Sequence, residues 1–109
     1  MLNIEYSTAA IEDLEQIGDY IAETLSSPLA ALNTVSKIQH AIGKLADFPL
    51  IGAPLSSIAD IDTDYRFLVC GNYLAFYHSQ DNIVYIDRVL YGKRDYVSIL
   101  FNDLPQDEI

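Results

Sequence analysis

Leu14, Ile17, Ile21 and Leu25 recur three or four residues apart, and Asp13, Glu15, Asp19 and Glu23 fall mostly away from that stripe. This is the period of a helix with one apolar face, and it predicts an α-helix over residues 8–25. Ser7 offers a side-chain oxygen to the first free helix amides, and Glu12 and Asp13 lie early in the helix, where its dipole favours acids. A second stripe of Ala31, Val35, Ile38, Ile42 and Leu45 predicts a helix over 28–46. Ser27-Pro28 opens it, and it stops ahead of Pro49, because proline disfavours helical backbone in the residue before it. So short a link between the two makes them an antiparallel helix hairpin. Ahead of them, residues 2–6 alternate apolar and polar as a short strand does.

Residues 49–64 hold Pro49, Gly52, Pro54, Ser56 and Ser57, then Asp60, Asp62 and Asp64. They read as a solvated loop; the spaced aspartates lack the glycine and terminal glutamate that complete an EF-hand. From Tyr65 the period changes to two. Tyr65–Cys70 and Tyr73–Ser79 flank Gly71-Asn72, a two-residue hairpin signal, and Gln80-Asp81-Asn82 turns the chain into Ile83–Tyr91. Three strands joined this tightly form an antiparallel meander. The expected order is β-α-α-β-β-β in an α+β domain, with the helix hairpin packed on an antiparallel sheet. The apolar segment Val97–Phe101 closes the pattern as a turn of helix.

The length of 109 residues fits a single domain spanning 1–109, and 50% hydrophobic residues suffice for one core. No run is long and apolar enough for a membrane span, and the first ten residues lack the basic and apolar regions of a secretion signal. The single cysteine, Cys70, excludes an internal disulfide framework and points to a reducing, cytoplasmic setting. It reads as a small apolar residue near a turn. No cofactor or metal is implied: the acids of the first helix read as a solvated face, not as converging ligands.

Charge changes the picture. Six bases stand against sixteen acids, a net charge of −10, which opposes diffuse binding to nucleic acid. Yet Arg88, Lys93 and Arg94 gather in Arg88–Tyr96, at the end of the last strand, and Arg66 lies on a strand that can pair nearby. Alternation puts Ile86, Arg88 and Leu90 on one face and Tyr85, Asp87 and Val89 on the other. An arginine on a strand built for burial needs a carboxylate, so Arg88 reads as structural, paired with Asp95 or an acid of the first helix. Lys93 and Arg94, just past Gly92, are placed to meet phosphate or an acidic partner. His40 reads as a surface histidine.

The ordered set Ser7, Ala10, Asp13, Leu14, Ile17, Tyr20 and Ile21, then Ile38 to Gly52, then YRFL, NYLAFY and RVLYGKRDY resembles the RelE/ParE superfamily, the toxins of bacterial type II toxin–antitoxin systems. The resemblance covers about residues 3–101. It implies a growth-inhibiting, plasmid-stabilisation or stress toxin, neutralised by a cognate antitoxin that docks on the sheet and helix hairpin. Val97, Leu100 and Phe101 are candidate docking residues beside Lys93 and Arg94. It leaves the assembly open between a homodimer and a toxin–antitoxin hetero-oligomer. RelE-like members cleave ribosome-bound mRNA, whereas ParE-like members inhibit DNA gyrase without that chemistry. Here Arg94 matches an arginine of the RelE site, but Leu74 stands where a second arginine is expected and Leu100 where a tyrosine is expected. Tyr96 lies one helical turn earlier. Arg66, His78, Arg94 and Tyr96 are the catalytic set if the chain is RelE-like. The missing groups and the acidic composition favour gyrase as target. A non-toxic, antitoxin-binding remnant is the third reading.

Overall fold

The structure is a computed structural model that describes residues 1–58, 62–93 and 99–101. Its elements are β1 (Asn3–Tyr6), α1 (Thr8–Thr24), α2 (Pro28–Gly43), a 3₁₀ turn at Lys44–Ala46, β2 (Ala53–Pro54), a second 3₁₀ turn at Leu55–Ser57, β3 (Arg66–Cys70), β4 (Tyr73–Gln80) and β5 (Ile83–Tyr91). Both helices start as their sequences predict. Ser7 Oγ accepts from Ala10 N at 2.9 Å and Ser27 Oγ from Ala30 N at 3.1 Å, and Pro28 follows its cap directly. The second helix tightens into 3₁₀ geometry over Lys44–Ala46, so its α-helical part is shorter than expected.

The sheet runs β1-β5-β4-β3-β2. Strands β3, β4 and β5 form the expected meander, joined by two tight turns. Asp81 and Asn82 both have positive φ, the type I′ pattern that matches strand twist, and at the other turn Gly71 alone is left-handed. The sheet is mixed rather than wholly antiparallel, because β1 adds to the edge of β5 in parallel, pairing Asn3 with Ile83 through Tyr6 with Ile86. Alternation of side chains reveals a strand but not its direction; only strands joined by a short turn have their direction fixed.

One core lies between the helix hairpin and the sheet, built from Ala10, Leu14, Ile38, Ile42, Leu45, Tyr77, Val84 and Ile86 among others. A smaller cluster, Leu55, Phe76 and Leu90, lies apart from it, with Phe67, Leu74, Ile99, Leu100 and Phe101 packed against it. The solvated-loop reading of 49–64 is corrected here. Gly52 and Leu55 are buried, and Ala53-Pro54 pairs with Arg66-Phe67 as the edge of the sheet. The physical cause is Tyr77. Its hydroxyl accepts from Gly52 N at 3.0 Å and donates to Pro49 O at 2.7 Å, so this buried phenol is satisfied only if the loop lies down on it. Among the described residues no helix is long and apolar enough to cross a membrane.

Candidate functional site

β5 does not keep its alternation. The register against β4 shifts between Phe76 and Tyr77: Tyr77 pairs with Ile86 and Phe76 with Arg88, which leaves Asp87 as an extra residue. Ile86 and Val89 both join the main core, while Leu90 joins the second cluster. The expected faces therefore hold only up to the bulge. A bulge exposes backbone groups, and the first helix satisfies them. Ser7 Oγ donates to Asp87 O at 2.8 Å, and Val89 N donates to Asp13 Oδ2 at 2.9 Å.

Asp13 is the hub of this region. Arg88 Nε donates to its Oδ2 at 2.7 Å and Nη2 to its Oδ1 at 2.8 Å, the two-pronged geometry of the strongest ion pairs. Arg88 is thus structural as expected, with the first-helix acid as its partner. Asp13 itself is only 7% exposed, so it is not part of a solvated face. The hydrogen bonds to Asp13 push the Arg88 guanidinium above its ordinary value, with the Asp13 charge adding to them against a smaller effect of burial.

His78 and Arg66 come together. Both line a cavity of about 350 Å³ with Thr63, Asp64, Tyr65 and Ser79. His78 Nδ1 donates to Asp87 Oδ2 at 2.7 Å. Its ring is stacked between Tyr65, 5.4 Å away at 12°, and Tyr85, 5.1 Å away at 20°. Tyr65 in turn stacks on Phe101 at 5.9 Å. A histidine fixed at one nitrogen by a carboxylate and clamped on both faces is held in one orientation, as general acid–base work requires. Arg66 Nη1 donates to Gly52 O at 2.7 Å, which anchors that guanidinium at the cavity wall.

Burial pushes the Asp87 carboxyl above its ordinary value, and the hydrogen bond and charge of His78 offset only part of this. The sign follows by linkage. The stability contributed by a raised carboxyl is fully present below pH 3.8 and is lost as the pH rises through the folded value. Asp87→Asn, which cannot ionise, is expected to remove that slope. Its melting temperature should gain on the wild type between pH 3.8 and neutrality, measured by circular dichroism at stepped pH.

Lys93 is exposed beyond the end of β5. Leu100 and Phe101 are half-buried against the second cluster, so in this structure they cover their own sheet. Arg94, Tyr96 and Val97 lie outside the described residues. Cys70 is buried, and desolvation pushes its thiol up to about 11. Only ~0.1% of it is then thiolate at pH 8, so disulfide reagents should label it far more slowly in the folded chain than in denaturant.

Sequence reasoning passed over Asp87, Tyr65 and Tyr85. The signal was present: a two-residue turn at Asp81-Asn82 forces Gln80 opposite Ile83 and therefore His78 opposite Tyr85. Asp87 is the next outward residue along β5.

The helix hairpin packed on this sheet has counterparts among known proteins. Residues 4–96 match the family model of the ParE toxin of the type II toxin–antitoxin system parDE. The chain belongs to the ParE toxin family. Among solved structures, the chromosomal ParDE toxin–antitoxin system from P. aeruginosa matches at 22% identity over 84% of this chain and 96% of that one, with a TM-score of 0.71. The RelBE2 toxin–antitoxin complex from Mycobacterium tuberculosis matches at 21% identity over 83% and 96%, with a TM-score of 0.52. Among curated proteins no sequence match is found. This ParE-family chain thus shares its fold with a chain of each of these two toxin–antitoxin assemblies.

Proposed function

We propose that this ParE-family toxin arrests growth by acting on DNA gyrase in the cytoplasm, without cleaving nucleic acid, and that a cognate antitoxin neutralises it by binding its surface. The observation that carries the reading is the disposition of positive charge. Cleavage of RNA by its own 2′-hydroxyl needs convergent cations to hold phosphate and stabilise developing charge. Among the described residues Arg66 is the one cation lining the His78 cavity, and Asp64 shares that wall. Arg88 is held by Asp13, and Leu74 packs against the second cluster at the position where a RelE-like site carries arginine. A net charge of −10 opposes entry into a phosphate-rich site.

The RelE-like reading draws on one specific feature, the oriented His78–Asp87 pair beside Arg66. Inducible expression without antitoxin, read in parallel for growth, SOS induction and message integrity, separates the two. Gyrase inhibition predicts arrest with SOS induction and intact mRNA. Cut message that survives in wild type but not in His78→Ala would establish the nuclease instead. Harmless expression would mark a remnant that only binds antitoxin.

A further inference from the structure

Arg66 and Arg88 stand on the same sheet but are held differently. Arg88 grips Asp13 with Nε and Nη2, the side-on edge that matches a carboxylate. Arg66 donates to Gly52 O through Nη1, which leaves its own Nε–Nη2 edge without a hydrogen bond among the described residues. The ion pairs of the described residues are Arg88–Asp13 and His78–Asp87, so Arg66 has no carboxylate there although the chain carries sixteen acids. Asp64 lines the same cavity and still forms no ion pair with it. An arginine that one carbonyl fixes in place, with its fork unused, is a preorganised receptor for a planar anion.

The rim of this cavity is apolar and fixed. Leu50 lines it and is 69% exposed. Phe48 and Ile51 are exposed in the same turn, where Ile51 N donates to Phe48 O at 3.2 Å. The buried Tyr77 ring holds this turn through its hydroxyl, which donates to Pro49 O and accepts from Gly52 N. Phe48, Leu50 and Ile51 thus place three large apolar side chains on a turn whose backbone is already ordered. Covering them removes apolar surface from water at little further entropic cost.

We propose that the Arg66 cavity is a docking site for a protein partner that presents a Glu or Asp side chain flanked by apolar residues. The carboxylate takes the free edge of Arg66, and the apolar flanks cover Leu50 and its turn, which keeps water from the ion pair. A phosphodiester is disfavoured, because Asp64 shares the wall, Asp87 backs His78 and the chain carries a net charge of −10. The proposal stands whether or not gyrase is the target.

The test is titration of the ¹⁵N-labelled chain with a blocked Leu-Glu-Leu peptide, its Leu-Gln-Leu counterpart, acetate and a short RNA oligonucleotide. Leu-Glu-Leu should shift the amides of Gly52 and His78 and the Nε–H resonance of Arg66, and Leu-Gln-Leu should not. Acetate should act at the same resonances but only at higher concentration. Arg66→Lys keeps the charge without the fork and should weaken binding about five- to ten-fold. Leu50→Ser changes an exposed side chain and should weaken it about three-fold, whereas Asp64→Asn, which removes a neighbouring acid, should tighten it. These two variants decide the matter even if Arg66→Lys loosens the turn. Equal binding of Leu-Gln-Leu, indifference to both Leu50→Ser and Asp64→Asn, or no shift up to about 10 mM peptide would overturn the site. Acetate as effective as the peptide would make it a site for free small acids, and tighter binding of RNA would make it a phosphate site; either result overturns the proposed partner.

Discussion

Arg88→Ala is expected to destabilise the fold by about 3–5 kcal/mol, the usual cost of stranding one partner of a buried ion pair. In a domain this small that corresponds to a fall in melting temperature on the order of 10–25 °C. The reason is asymmetric burial. Asp13 exposes 7% of its side chain and Arg88 28%. Without Arg88 the carboxylate keeps Val89 N but loses two charge-assisted bonds. Asp13→Asn is therefore expected to be milder, because the freed guanidinium reaches solvent and the amide oxygen can still accept from Val89 N. Replacing both, as Asp13→Asn with Arg88→Met, should cost less than Arg88→Ala alone. Thermal and urea unfolding of the three variants measure this. A loss below about 1 kcal/mol for Arg88→Ala would place the pair among ordinary surface contacts and contradict the account.

Gly52→Ala should be nearly as damaging, for steric reasons. A Cβ there would lie 2.6 Å from Phe67 O, 2.6 Å from the Tyr77 hydroxyl and 2.8 Å from Tyr77 Cε1. The first is strand backbone and the others belong to a fully buried ring, so neither yields cheaply. Overpacking of this kind costs about 1–3 kcal/mol, and displacing the loop would also break the Gly52 bonds to Tyr77 and Arg66. Tyr77→Phe leaves Gly52 N buried without its acceptor, at about 1–3 kcal/mol. The two changes share an atom, the Tyr77 oxygen, so the double variant should be less destabilised than the sum of the singles. Simple additivity in urea unfolding would show that the loop is not pinned through Tyr77.

The elements of this fold were legible where local rules decide them. Ser7 and Ser27-Pro28 cap their helices as expected, and Asp81-Asn82 makes the predicted tight turn. What the sequence hid depends on partners far along the chain. Asp13 looks like one acid among several on α1, and nothing local separates it from Glu12 or Glu15; only the bulge in β5, some 75 residues later, supplies Arg88 and Val89 N to bury it. The parallel addition of β1 is hidden for the same reason. The candidate site was half legible. Arg66 and His78 do share a cavity, but Asp87 and Tyr65, which orient His78, were passed over because a carboxylate at an outward strand position resembles any solvated acid.

We propose gyrase rather than RNA as the target of this ParE-family fold. It is tested most directly by incubating the purified chain with purified DNA gyrase and supercoiled plasmid, then trapping any enzyme–DNA intermediate with detergent and protease. Action on gyrase predicts linear, cleaved plasmid that accumulates with the chain and disappears when its antitoxin is added. Unchanged gyrase activity, together with cleavage of ribosome-bound message by the same preparation, would contradict it.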